Sequence, residues 1–226
     1  MKLWICCFWG LGLGLLALGA YQGLVLAPPD RMMGDVYRIM FVHVPSAWLA
    51  LVAYSVTLVA SLGYLWVGRS GFDSVAVASA ELGVLFNGIL LATGSIWGRP
   101  TWGVWWSWDP RLTTAAIMMF AYLGYLALRR FVDDPQRRAV WAAVVAIFVY
   151  ADIPIVWFSV RMWNSLHQLQ SSPATVAAPM VLALRINAFA FLFLYLGFLC
   201  LRYSVMRLEL AHEWQEPPGG SDEVTA

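Results

Sequence analysis

Long apolar runs separated by short polar stretches set the pattern of this chain. A helix needs about 20 apolar residues to cross the hydrocarbon core of a bilayer. About six segments approach that length: roughly 3–26, 46–67, 81–96, 110–128, 139–158 and 180–201. The first has small residues near Ala17–Ala20 that resemble a cleavage site, but its apolar run continues to Ala27, which predicts a retained helix ended by Pro28 and Pro29. Residues 31–44 read as a short helix lying on the membrane surface, with Arg31, Asp35 and Arg38 on one face. Val36, Ile39, Met40 and His43 fall on its other face, and Pro45 should break it. Residues 68–79 read as a polar connection, 129–138 as a basic loop and 161–179 as a long loop holding His167. The polar tail after Arg202 ends PPGGSDEVTA and reads as disordered. The expected protein is all-α and polytopic, with a six-helix membrane domain over 1–202 and a tail over 203–226.

Composition agrees: 61% of the 226 residues are hydrophobic and 12% are charged, and the mean hydropathy is +0.70. The net charge of +1 says nothing about nucleic acid, and no basic cluster is large enough to suggest it, so no nucleic-acid partner is expected. Cys6, Cys7 and Cys200 sit in apolar runs without C-x-x-C, C-x-x-C-H or zinc spacing, so they read as small packing residues. No G-x-x-x-x-G-K-[ST] is present, so any ATP-driven work belongs to another subunit. Placing Lys2, Arg69, Arg129, Arg130, Arg137, Arg138, Arg202 and Arg207 on one side makes that side, with both termini, cytoplasmic. Arg31, Arg38, Arg99, Arg111 and Arg161 then lie outside against the trend, as arginines kept for a ligand would.

The chemistry concentrates at 97–113, WGRPTWGVWWSWDPRLT. Two prolines, two glycines and no aliphatic run argue against a spanning helix, and non-helical backbone belongs at a water interface or against a partner. Trp97, Trp102, Trp105, Trp106 and Trp108 exceed what an interfacial belt needs and suggest a platform for a large flat ligand. The bland alternative is belt or loop packing. Asp109 reads as the N-cap of the next helix, with Pro110 at its first position. On this topology His43, His167, Arg38 and Arg111 converge with the tryptophans on the outer face. Two neutral imidazoles can ligate one iron, indoles can cover a porphyrin, and arginines can pair with its carboxylates. Equally, either histidine alone reads as interfacial, and Arg111 as a partner of Asp109 or a snorkelling side chain. His212 reads as solvated, Glu81 as a boundary residue, and Asp152 as an intramembrane acid with either a functional or a helix-end role.

The segment at 97–113 resembles the tryptophan-rich WWD signature of heme-handling membrane proteins of cytochrome c biogenesis. YRIMFVHVPSAW around His43 and WNSLHQ around His167 resemble the two histidine sites of the heme exporter protein C (CcmC) branch. The resemblance spans nearly everything from Gly34 to Arg202. It implies heme b held at the periplasmic face of the inner membrane, with His43 and His167 as axial ligands. The five tryptophans and Asp109 would form the signature platform, and Arg38 and Arg111 the propionate partners. It also implies delivery to the heme chaperone CcmE, beside the ATP-binding-cassette subunits CcmA and CcmB and the small membrane protein CcmD. That is a transfer role and not an enzyme's. Pro110 stands where alanine is commoner, and Arg161 where an acidic residue is expected. Larger relatives with similar loops, CcmF and the synthetase of the other maturation system, need many more spans. The competing classes are a b-type membrane cytochrome in quinone-linked electron transfer and a bare transport subunit with tryptophan anchors.

Overall fold

Backbone amides in hydrocarbon must find partners within their own segment, and the chain answers with helices. The computed structural model describes residues 2–167 and 176–213. Six helical segments, over 2–26, 36–67, 70–102, 110–131, 135–162 and 178–209, are long and apolar enough to cross a membrane. α1 (Lys2–Tyr21) ends in a wider turn over Gln22–Leu26, followed by extended backbone at Ala27 before Pro28. α2 is Met40–Val67, α3 Ser70–Trp102, α4 Pro110–Phe131, α5 Pro135–Val149, α6 Asp152–Met162 and α7 Ala178–Glu213.

Several boundaries differ from the pattern, each for a local reason. The stretch 31–44 is not a separate surface helix. Asp30 and Gly34 pair, Asp30 accepts from the N–H groups of Met32 and Met33 at 2.8 Å, and a short tight helix at Val36–Ile39 runs directly into α2. Those two amides hold the Asp30 carboxyl below the usual carboxylate range. Pro45 does not break α2. It is fully buried, it forgoes one bond near the helix start, and the Ser46 hydroxyl donates to the Val42 carbonyl at 2.8 Å. Residues 70–79 are helical and not a connection, because Asp73 is buried against Arg129. α3 likewise runs through Trp97 and Pro100 to Trp102, so the non-helical tryptophan stretch shrinks to 103–109. Pro154 splits the fifth span, and α6 restarts at Asp152 so that the proline falls in its first turn. α7 continues past Arg202 to Glu213, so the predicted tail begins as helix; 214–226 lie outside the described residues.

α2 and α3 form a long hairpin that α4, α5 and α7 pack against, while α1 lies on α7 and α6 on α4. Small residues let the backbones approach, as membrane helices require. Ala50, Ala53, Ala80, Ala142 and Ala146 are buried in the core, and Gly83 leaves the room that Tyr54 fills. Tyr54 stacks on Tyr122 at 3.7 Å between centroids. One end of the bundle is tied by ion pairs: Arg129 grips both oxygens of Asp73 at 2.7 Å, and Arg202 holds Glu81 at 2.6 and 3.0 Å. The Arg207 guanidinium donates to the Ser70 hydroxyl at 2.7 Å there. The opposite end carries the tryptophan connection and an open cleft.

Candidate functional site

Four segments build this cleft: the start of α2, the final turns of α3 with the connection that follows, the first turns of α4, and α6 with the chain leaving it. His43 lies in the first turns of α2 and is only 7% exposed. Its Nδ1 is 3.1 Å from the Thr93 hydroxyl on α3. The two helices approach closely there because position 94 is glycine; a Cβ would stand 3.0 Å from His43 Cε1. Trp97, one turn further, sets its ring edge-on to the imidazole at 5.6 Å and 80°.

α3 stops at Gly103, whose φ of +80° suits glycine and whose N–H donates to the Arg99 carbonyl at 3.1 Å. The Arg99 guanidinium also donates to the Gly103 carbonyl, and the Ser95 hydroxyl to that of Trp105 at 2.7 Å. The non-helical segment that follows ends at Asp109, which caps α4 as expected by accepting from the Arg111 N–H at 2.9 Å.

Asp109 does more than cap. Its Oδ1 also accepts from the Ser165 hydroxyl at 3.0 Å, and its Oδ2 from the Leu166 N–H at 2.7 Å. The Ser165 oxygen in turn accepts from the His167 N–H at 3.0 Å. One buried carboxylate thus moors the segment carrying His167 to the tryptophan connection. The result brings the two histidine rings to 6.4 Å between centroids, with planes 28° apart. Trp102 closes on His167 at 6.3 Å and 60°.

Of the predicted residues, His43, His167, Trp97, Trp102, Trp106 and Arg111 line the cleft. Arg111 is half-buried, and its Nη1 has no hydrogen-bond partner among the described residues; the same holds for Trp97 Nε1. A buried cationic N–H without an acceptor is costly, so this corner suits an anionic group entering the cleft. The remaining predicted residues fall elsewhere. Trp105 and Trp108 are 58% and 83% exposed and do not line the cleft, and Trp108 meets Trp106 edge-on at 6.0 Å. Asp109 sits behind the lining. Arg38 does not reach it either. Its guanidinium pairs with Asp35 at 2.9 Å and donates to the carbonyls of Gly23 and Ala27, pinning the end of the first span. Asp152 is apart from the cleft, with Oδ2 unpartnered among the described residues, and the side chain of His212 lies outside them.

Sequence reasoning missed Trp48, Trp157, Thr93, Gly94 and Ser165. Inside uniformly apolar spans, only packing decides which face meets the cleft. Ser165 sits in the very segment WNSLHQ but carries no signal of its own. Among the described residues, no cluster of three or more His, Cys, Asp or Glu side chains could hold a metal ion.

The sequence matches the family model for heme exporter protein C over residues 1–216. It is 42% identical over 200 residues to the heme exporter protein C of Bradyrhizobium diazoefficiens, covering 87% of this chain and 74% of that one. It is 39% identical over 213 residues to the protein of that name from Haemophilus influenzae, covering 92% and 85%. With the Escherichia coli K12 protein of the same name it shares 35% over 208 residues, covering 88% and 83%.

Proposed function

Since this chain belongs to the heme exporter protein C family, we propose that its cleft holds heme b between His43 and His167 for cytochrome c maturation. The observation that carries this reading is the ring separation. With imidazole–metal bonds of about 2.0 Å, two rings ligating one ion from opposite sides have centroids about 6 Å apart, and 6.4 Å is found. Among the described residues no third side chain joins the two imidazoles as a metal ligand, which suits an occupant that brings its own equatorial ligands, as a porphyrin does. The indoles of Trp97, Trp102 and Trp106 supply faces and edges for a macrocycle. The unpartnered Nη1 of Arg111 offers a charged donor to a propionate. Arg38 is not assigned that role, since each of its three guanidinium nitrogens already donates away from the cleft, to Asp35 or to the carbonyls of Gly23 and Ala27. Heme is cargo here, and the chain's residues bind it, orient it and shield its faces.

In this proposal the arginine-rich, ion-paired end is cytoplasmic with both termini, and the cleft is periplasmic. The exposed Trp105 and Trp108 stand at the cleft's end of the bundle, where the chaperone CcmE would receive the heme. CcmA, CcmB and CcmD would complete the assembly in the inner membrane, and ATP hydrolysis would reside outside this chain. A quinone-linked cytochrome fits less well, because both histidines lie at one end of the bundle and not in mid-span.

The test is to purify the full chain in detergent from heme-replete cells, alongside His43→Ala, His167→Ala and the double variant. Bis-histidine holding predicts that each single variant loses most of the bound heme or its low-spin spectrum. Unchanged heme content and spectrum in all three would end the proposal.

A further inference from the structure

Resting on the heme-holding role just proposed, we infer that Thr93 is a positioning residue that fixes which nitrogen His43 offers to the metal. Thr93 lies on α3 in the apolar run ILLATGSIW, where nothing in the sequence marks it. Its hydroxyl has one proton to give. The Ile89 carbonyl stands 2.6 Å away and that of Leu90 3.3 Å, and a carbonyl can only accept. The short contact to Ile89, the backbone oxygen one turn earlier, takes the proton.

The lone pairs of the same oxygen then face His43 Nδ1 at 3.1 Å, so the bond between them forms only if Nδ1 carries the hydrogen. A neutral imidazole protonated at Nδ1 has its lone pair on Nε2. The ring has little freedom to choose otherwise. Gly94 lets it press against α3, and Trp97 stands edge-on beside it. Thr93 therefore presents His43 to the cleft with Nε2 ready to donate, before any heme arrives. Histidine ligands in metal sites commonly give their second N–H to such a partner, and its loss lowers metal affinity about 10–100-fold.

Two measurements test this on the full chain in detergent. The first needs no mutation. Of three histidines in the chain, the ring nitrogens of His43 are assigned by 15N labelling against the His43→Ala variant, on heme-free protein. A signal from the Nδ1–H tautomer is expected; the Nε2–H tautomer overturns the inference. The second compares hemin binding and the ferric low-spin spectrum of wild type, Thr93→Val and Thr93→Ser. Valine keeps the shape without the hydroxyl, so affinity should fall about 10–100-fold with a smaller low-spin fraction, and serine should restore both. Wild-type affinity and spectrum in Thr93→Val, while His43→Ala still loses heme, sinks the role of Thr93 and leaves the heme site standing. If His43→Ala itself binds heme normally, the underlying reading fails instead.

Discussion

Asp109 shows how much one side chain can organise. Its two oxygens accept from the Arg111 amide, the Ser165 hydroxyl and the Leu166 amide. The first bond starts α4, and the other two hold the segment that carries His167. These duties separate under substitution. Asparagine caps a helix about as well as aspartate, but its amide nitrogen cannot accept a second backbone N–H. Asp109→Asn should therefore keep nearly the wild-type thermal midpoint while heme occupancy and the low-spin band move toward those of His167→Ala. Asp109→Ala should show the same spectral loss with a further about 1 kcal/mol of destabilisation from the missing cap. Thermal unfolding followed by circular dichroism, with the visible spectrum recorded on the same samples, checks both. A wild-type heme spectrum in Asp109→Asn would remove the mooring role and leave only the cap.

At the level of elements, the tryptophan-rich stretch is two structures joined at Gly103. Trp97 and Trp102 belong to α3 and are fixed by its register, whereas Trp105, Trp106 and Trp108 lie on the non-helical connection to α4. The two sets should behave differently. Trp97→Ala with Trp102→Ala should strip heme from the purified protein, since both rings lie against the histidines. Trp105→Ala with Trp108→Ala should leave its content near wild type and lower only transfer to an added acceptor chaperone. Equal heme loss in both pairs would contradict this division. The split was not legible beforehand because two prolines, two glycines and crowded indoles all argue locally against helix. Packing of Trp97 toward α2 overrode that local preference. The same competition explains Pro45, whose breaking tendency was outweighed by burial, and Ser70–Ser79, whose helical state rests on a partner for Asp73 about 56 residues away along the chain. What was legible rested on strong local chemistry: apolar run length for the spans, and Asp109–Pro110 for the start of α4. That His43 and His167 share one end of the bundle followed from counting spans, because an even number of crossings separates them, whereas their approach depends on the Asp109 contacts to Ser165 and Leu166. The contacts of Arg38 were hidden for the opposite reason: the resemblance, not the helix pattern, tied it to a propionate, and its bonds to the carbonyls of Gly23 and Ala27 join segments that the pattern of 31–44 alone does not relate.

Across the whole molecule, stiffness and openness sit at opposite ends. Asp73 and Thr93 lie on one helix, about 30 Å apart at 1.5 Å per residue, so the ion-paired end is remote from the histidines. Asp73 and Arg129 are nearly fully buried, with side chains 8% and 9% exposed, and their bidentate contact joins α3 to α4. Removing one partner strands the other: Arg129→Met should destabilise by about 3–5 kcal/mol, seen as a markedly lower unfolding temperature in detergent. Replacing both, as Asp73→Leu with Arg129→Met, should recover most of that loss, because a well-packed apolar pair has no charge left to desolvate. Heme content and spectrum of the folded fraction should match wild type in both variants, since α3 is held along its length by the tyrosine and alanine core and not by this pair alone. A changed heme spectrum in the stable double variant would show that the two ends communicate through α3, and the cleft would then have to be regarded as set by the far end of the bundle as well as by Thr93 and Asp109.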